Sequence, residues 1–354
     1  MDFSTTEITL PLLIPSSPTV PGRDRINASS CPSSAAWEWL YTMQPVYMIT
    51  ICVLGIAGNV FVLAVFSLHR KACTVAEFYL GNLAAADLVL LSCLPFWAVN
   101  VANGFNWQFG TIMCRLVNMG VIINMYCSIY FLVLVSTDRY VALVHAMSLG
   151  RMRRILYARL SSLAVWALGI IMSIPVLKFR TVEYYPEYNV NACYLKYPSL
   201  DVELICDILL IIIGFLIPFS VISYCTCKII QTLKNQKIRK LSAVNREKKA
   251  TILVLCVLFA FVLCWIPFHS VTFLHVLLRF NILVGCEIEN ILEISNQVFT
   301  YLAFSNSVLN PVLYVIVGKN FRRKVKKLSE QMSLGRKTTE SILCHFSSTL
   351  NTLG

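Results

Sequence analysis

The chain has 354 residues, 57% of them hydrophobic and only 14% charged, with a mean hydropathy of +0.69. A soluble domain carries about 25% charged residues, so this composition excludes an ordinary globular enzyme or binding module and points to the membrane. The net charge of +12 is not a nucleic-acid signature, because the basic residues gather in the loops on one side of the predicted spans.

About 20 consecutive apolar residues cross a bilayer, and in lipid each span must satisfy its own backbone, which makes helices the expected state. The first 43 residues form a polar segment that holds Cys31 and the glycosylation acceptor Asn27-Ala28-Ser29. It lacks a basic start followed by an apolar core, so the first span is expected to direct insertion. Seven spans follow, at about 45–68, 77–101, 113–137, 158–178, 204–227, 250–278 and 291–317. Gly58-Asn59 marks the first and Asp87 the second. The third begins at Cys114 and ends in Asp138-Arg139-Tyr140. Trp166 lies in the fourth and Pro218 in the fifth. Cys264-Trp265-Ile266-Pro267 marks the sixth, and Asn310-Pro311-Val312-Leu313-Tyr314 ends the seventh. Prolines 95, 175, 218, 267 and 311 are expected to kink or end these helices. Beyond them, Phe321, Val325 and Leu328 fall at i, i+4 and i+7 with basic residues opposite, which predicts a short amphipathic helix on an anionic lipid leaflet. The expected architecture is an all-α membrane protein, a seven-transmembrane helix bundle with a short amphipathic eighth helix. It divides into an extracellular segment (1–43), the seven-span bundle (44–318), and the amphipathic helix with a cytoplasmic tail (319–354).

Arg70-Lys71, the stretches Arg151–Arg159 and Lys228–Lys249, and the tail supply most of the basic residues. The opposite face holds 12 of the 18 acidic residues and seven of the 30 basic ones. The positive-inside rule then places the N-terminus outside, and the acidic outer face favours a cationic ligand. Of 14 cysteines, Cys31, Cys114, Cys193 and Cys286 face the oxidising side. Four such residues allow three pairings.

Taken together, these motifs resemble the rhodopsin-like G-protein-coupled receptors over nearly the whole chain. The segment from Cys73-Thr74-Val75-Ala76-Glu77 to Asp87 is similar to bradykinin receptors. So are Leu94-Pro95-Phe96-Trp97-Ala98, Phe105-Asn106-Trp107, Met147 to Arg153, and Tyr314-Val315-Ile316-Val317-Gly318-Lys319. The likeness is nearer to the type 2 than to the type 1 branch, in the manner of a non-mammalian member. It covers about residues 31–328.

The resemblance implies disulfides Cys114–Cys193 and Cys31–Cys286. It implies a peptide pocket that uses Glu203 and Glu293 as carboxylates, with Trp97, Asn118, Arg180, Phe268 and Gln297 at or near its lining. Asp201, Asp207, Glu287 and Glu289 are weaker rim candidates. Arg180 would receive the peptide's terminal carboxylate. A switch is implied at Asp138, Arg139, Tyr140, Glu247, Trp265, Asn310, Pro311 and Tyr314, with Arg139–Glu247 as the resting latch and Ile129, Pro218 and Phe261 as the repacking core. Asp87, Asn124, Ser128, Asn306 and Asn310 would line a sodium pocket; all bear oxygen, which suits a hard cation. No other cofactor is expected. The expected partners are a kinin, a heterotrimeric G protein (mainly Gq, acting through phospholipase C and calcium), receptor kinases and arrestin on the Ser/Thr-rich tail, and membrane lipids, including a palmitoyl chain at Cys344. Nucleic acid is not expected.

Two departures from the family stand out. Thr226 occupies the place of a span-five tyrosine, with Tyr224 two residues early. His275 stands where the type 2 branch has aspartate, which implies a receptor tuned to a variant kinin. The alternative ligand is an angiotensin- or chemokine-like peptide. A retinal pump would need a lysine in the seventh span, and none occurs from 291 to 317. A transporter would show several intramembrane charges, and no nucleophile–base set supports an enzyme.

Overall fold

The computed structural model describes residues 35–68, 74–144, 151–186, 189–235, 242–280, 286–316 and 321–331, with positions 282 and 318. The helices are α1 (Ala35–Leu68), α2 (Val75–Ala102), α3 (Gly110–Val144), α4 (Arg151–Met172), α5 (Ile174–Phe179), α6 (Leu200–Ile211), α7 (Ile217–Asn235), α8 (Ser242–Arg279), α9 (Cys286–Ile316) and α10 (321–331). Among the described residues, seven stretches are long and apolar enough to cross a membrane, matching the seven expected spans in order. Spans two and three are central, with 61% of their most apolar window buried, whereas spans four and five, at 22%, are peripheral. Their outward residues are large and apolar, such as Leu163 and Ile205. That is what a lipid-facing helix requires and a water-facing one avoids.

Local chemistry sets the helix boundaries. Thr74 and Glu77 form a capping box at the start of α2: the Thr74 N–H donates to Glu77 Oε2 at 2.8 Å, and the Glu77 N–H donates to Thr74 Oγ1 at 3.3 Å. Ser199 caps α6 by accepting the Val202 N–H. Helix α4 ends at Met172, and Pro175 enters the first turn of α5, where its missing donor costs nothing.

Span five holds a feature the sequence reading did not anticipate. Residues Ile212–Leu216 form a π-turn between α6 and α7. The Ile217 N–H bonds to Ile212 O, five residues back. Pro218, next in line, has no N–H to offer Ile213 O. The Tyr130 hydroxyl of α3 donates to that carbonyl instead, at 2.9 Å, so the proline defect becomes a staple between spans three and five.

A second unanticipated element departs from the all-α expectation. Strands β1 (Arg180–Tyr185) and β2 (Val190–Leu195) form an antiparallel hairpin between spans four and five. Within it Lys196 Nζ donates to Glu183 Oε1 at 2.6 Å and the Tyr194 hydroxyl to Glu183 Oε2. These bonds hold the Glu183 carboxyl below its ordinary range.

At the other end of the bundle Gly318 makes the corner into α10. Its N–H bonds to Tyr314 O, and a Cβ there would collide with that same oxygen. Phe321 of α10 is buried, with Val325 and Leu328 packed against the same core, as the spacing predicts. Lys324 Nζ lies 2.9 Å from Glu77 Oε2, which ties α10 to the start of α2.

Candidate functional site

The hairpin end of the bundle is built around a disulfide. Cys114, at the start of α3, is bonded to Cys193 in β2, as the family resemblance implied. This draws β1 over the helix ends and buries Arg180, which is 3% exposed. Arg180 Nη1 donates to Cys193 O at 3.1 Å, and its guanidinium lies 5.9 Å from the Trp97 ring centroid. Burial lowers its pKa to about 10, still far above neutrality, so it remains a cation. Asn118, one turn beyond Cys114 on α3, donates to Cys114 O at 2.7 Å. A cavity of about 110 Å³ opens beside these groups, with Asn118, Arg180, Tyr197 and Asp207 among its polar lining and Val121, Met172, Pro175 and Leu210 on its walls. The Tyr197 phenol is pushed well up, first by burial and then by Cys206 and the carboxylates of Asp207 and Glu203 nearby. Glu203 and Asp207, both on α6, are buried themselves.

The structure therefore gathers Asn118, Arg180 and Asp207 around one cavity, with Trp97 against Arg180. Of these, the sequence reading had ranked Asp207 as a weak rim candidate. Phe268 stands on α8 and Gln297 on α9, outside that lining. Gln297 accepts the Tyr301 hydroxyl at 3.2 Å. Glu293 is half-buried on α9, and Asp201 is exposed. His275 is half-buried, with Nδ1 3.1 Å from Val271 O.

In mid-bundle Asp87 is fully buried and collects donors from two helices. Asn124 Nδ2, Ser128 Oγ and Ser307 Oγ donate to Oδ1 at 3.1, 3.4 and 2.9 Å, and Asn310 Nδ2 donates to Oδ2 at 3.0 Å. The expected set included Asn306, but Ser307 makes the bond in its place. The Asn306 Oδ1 is buried without a hydrogen-bond partner among the described residues. Adjacent helical residues point about 100° apart, so only one of the two faces Asp87. Asn59 ties α1 to the same region through Ser307 O at 2.9 Å.

Above this cluster Trp265 stacks on Phe261 at 5.7 Å and meets Phe268 edge-on at 5.9 Å. Ile129 and Phe261 are buried beside it in one core, and Pro218 is buried too. Tyr314 is fully buried on α9, as is the Pro311 that precedes it. At the Asp138 end, Arg139 donates to Asp138 Oδ2 from Nη2 at 2.5 Å and from Nε at 3.1 Å. Tyr140 packs edge-on against Tyr224 with centroids 5.8 Å apart. Tyr224, two residues early for the family position, thus meets the span-three motif, while Thr226 Oγ1 is buried without a partner among the described residues. The side chains of Glu247, Cys286, Glu287 and Glu289, and all of Asn27, Cys31 and Cys344, lie outside the described residues.

Residues 58–314 match the family model of the 7 transmembrane receptor (rhodopsin family). The chain is 49% identical over 305 residues to the B2 bradykinin receptor of Mus musculus, covering 86% of this chain and 78% of that one. It is 49% identical over 298 residues to the B2 bradykinin receptor of Homo sapiens, covering 84% and 76%. It is 39% identical over 308 residues to the B1 bradykinin receptor of Homo sapiens, covering 86% and 87%. With its seven spans, its tied hairpin and this likeness along most of its length, the chain belongs to the rhodopsin family of seven-transmembrane receptors and, within it, to the bradykinin receptors, which makes it a multi-pass signalling receptor of the plasma membrane and not an enzyme.

Proposed function

We propose that this receptor binds a kinin peptide at its hairpin end, which faces the cell exterior with the N-terminus. Occupancy then drives a heterotrimeric G protein, mainly Gq, toward phospholipase C activation and calcium release. The observation that carries this reading is the likeness to B2 bradykinin receptors over 86% of the chain. The chemistry of the hairpin end supports it. A kinin carries arginine at both ends, so its pocket must neutralise guanidinium groups and one terminal carboxylate. The buried carboxylates Glu203 and Asp207, with Glu293 nearer the rim, suit the first task, and the buried Arg180 cation suits the second. Trp97, Asn118, Phe268 and Gln297 complete the proposed lining. His275 is neutral or cationic and cannot attract arginine, so the preferred peptide is a variant kinin. The basic loop 228–249 and the face of α10 suit a G protein and an anionic leaflet. Receptor kinases and arrestin act on the tail, Asn27 is glycosylated, Cys344 is palmitoylated, and Cys31 pairs with Cys286. Glu247 latches Arg139 at rest.

The same reading makes the Asp87 cluster an allosteric sodium site. Asp87, Ser128 and Ser307 offer oxygen, and the buried, unpartnered Oδ1 of Asn310 offers more, a donor set suited to a hard cation. Sodium should raise the unfolding temperature of the purified receptor relative to choline, and Asp87→Asn should abolish the difference.

Calcium release in cells expressing the receptor tests the ligand. Bradykinin, variant kinins, kinin without its C-terminal arginine, angiotensin and a chemokine are applied in turn. A response to full-length kinin alone is expected. Silence to every kinin from receptor shown at the surface overturns the ligand, and a response to angiotensin or the chemokine replaces it.

A further inference from the structure

The cavity beside Arg180 has a second side that the peptide reading does not use. Among the described residues its lining comes from α3, the end of α4, α5, α6 and the hairpin region, and none of it from α8 or α9. Met172, Pro175 and Val176 form one wall, and Cys206, Leu209 and Leu210 the facing one. These walls belong to spans four and five, the two least buried of the bundle. Helix geometry leaves the space between them. α4 stops at Met172 and α5 starts afresh at Ile174, while the π-turn Ile212–Leu216 directly follows α6. Helices pack by fitting regular ridges into grooves, and here both ridges are interrupted beside the residues that line the cavity.

The rim of this cavity faces lipid. Ile205, Ile208, Leu209 and Ile212 recur at i, i+3, i+4 and i+7, and all are exposed, which makes them the lipid-facing stripe of α6 and the turn after it. Leu209, 39% exposed, lies on that stripe and also lines the cavity. Across from it, Ile174 and Leu177 are exposed beside the wall of Pro175 and Val176. Leu209 stands nine residues into the span that starts at Leu200, about 13 Å along the helix at 1.5 Å per residue. The opening is therefore in hydrocarbon and not at the water surface.

We infer that this cavity is a side-entry site between spans four and five for a small neutral amphiphile dissolved in the leaflet at the hairpin end. Its body is a short chain or a single ring, and it carries one hydroxyl or amide. Size sets the body: an apolar cavity of about 150 Å³ stays dry and admits a benzene ring, and this one measures about 110 Å³. The remainder of the ligand stays in the lipid. Charge sets the head. The polar end holds Asn118, Arg180, Tyr197 and Asp207, so an ionic head of either sign meets a like charge there, and a charge is costly to carry through hydrocarbon. A hydroxyl both donates and accepts, which suits a carboxylate and a guanidinium together. The site goes beyond the kinin reading and does not depend on it.

The test is photolabelling of the full-length receptor in lipid bilayer discs, without peptide, by octanol carrying a diazirine and by the matching octanoate. Adducts are located by mass spectrometry of the digested chain. The alcohol should label residues 172–176 and 206–210, and an excess of plain octanol should suppress that labelling. Leu209→Trp, whose indole fills the rim, should lose these adducts. Ile208→Trp, on the same lipid stripe but outside the cavity lining, should keep them. Octanoate should label the same residues weakly. If Leu209→Trp does not fold, Val176→Phe narrows the opening from the opposite wall and takes its place. Adducts spread along all the exposed stripes, indifferent to plain octanol and to Leu209→Trp, overturn the site. Equal labelling by octanoate overturns the neutral head. With no peptide present, the result stands whatever the calcium assay gives, so failure of the kinin reading and failure of this inference are distinguishable.

Discussion

The bundle contains two buried polar regions that stand in contrast. Around Asp87, in mid-bundle, side chains from α3 and α9 converge on a carboxylate of α2, and both of its oxygens accept hydrogen bonds. Around Trp265 and His269, the three ring nitrogens have no partner among the described residues, and the neighbours are aromatic faces. The first region satisfies its carboxylate with its own hydrogen bonds, leaving an amide oxygen, Asn310 Oδ1, unpartnered among the described residues, and holds spans two, three and seven together. The second carries ring nitrogens with unused hydrogen-bonding capacity. Buried polar groups are costly unless paired. The carboxylate cluster therefore contributes to the fold, and the aromatic one carries an uncompensated cost.

Five substitutions would break or sharpen this contrast, each read as a shift in ligand-free unfolding of the purified receptor. Asp87→Ala removes the acceptor and strands four donors, so it should destabilise by about 3–5 kcal/mol; a loss below about 1 kcal/mol would mean the cluster is not structural. Ser307→Ala should cost about 1–1.5 kcal/mol, and Asn306→Ala, which removes no bond to Asp87, should cost less. The reverse order would restore Asn306 to the cluster. His269→Phe should have the opposite sign, gaining about 1 kcal/mol by removing unpaired nitrogens from an aromatic setting. The smallest effect is expected at Thr226→Val. It exchanges a buried, unpartnered hydroxyl for a methyl and should gain about 0.5 kcal/mol at most; a clear loss would show that Thr226 Oγ1 is bonded after all.

Much of the architecture was legible in the residues. The spans follow from runs of apolar side chains, and the eighth helix from the spacing of Phe321, Val325 and Leu328, because hydropathy and helical periodicity are properties of neighbouring residues. The motif at Asp138-Arg139-Tyr140 and the tryptophan of span six identified the family on sight. The hairpin was not legible. Its strands are six residues each, and the disulfide that ties β2 to the bundle joins residues 79 positions apart along the chain. The π-turn was invisible for a related reason: Pro218 announces a missing donor, but only the placement of Tyr130 on another helix says what replaces it.

The candidate site divides the same way. The sequence determined that a carboxylate, an arginine and a set of amides lie in or near the apolar spans, since composition along the chain is enough for that. Tertiary structure alone decided that Ser307 and not Asn306 reaches Asp87, that Arg180 lies beside Trp97, and that His269 is closed among aromatic rings. The physical reason is rotation. Successive side chains on a helix differ in direction by about 100°, so the partner each one finds depends on how the helices pack. In a seven-helix bundle that orientation is set by contacts between residues far apart in the chain.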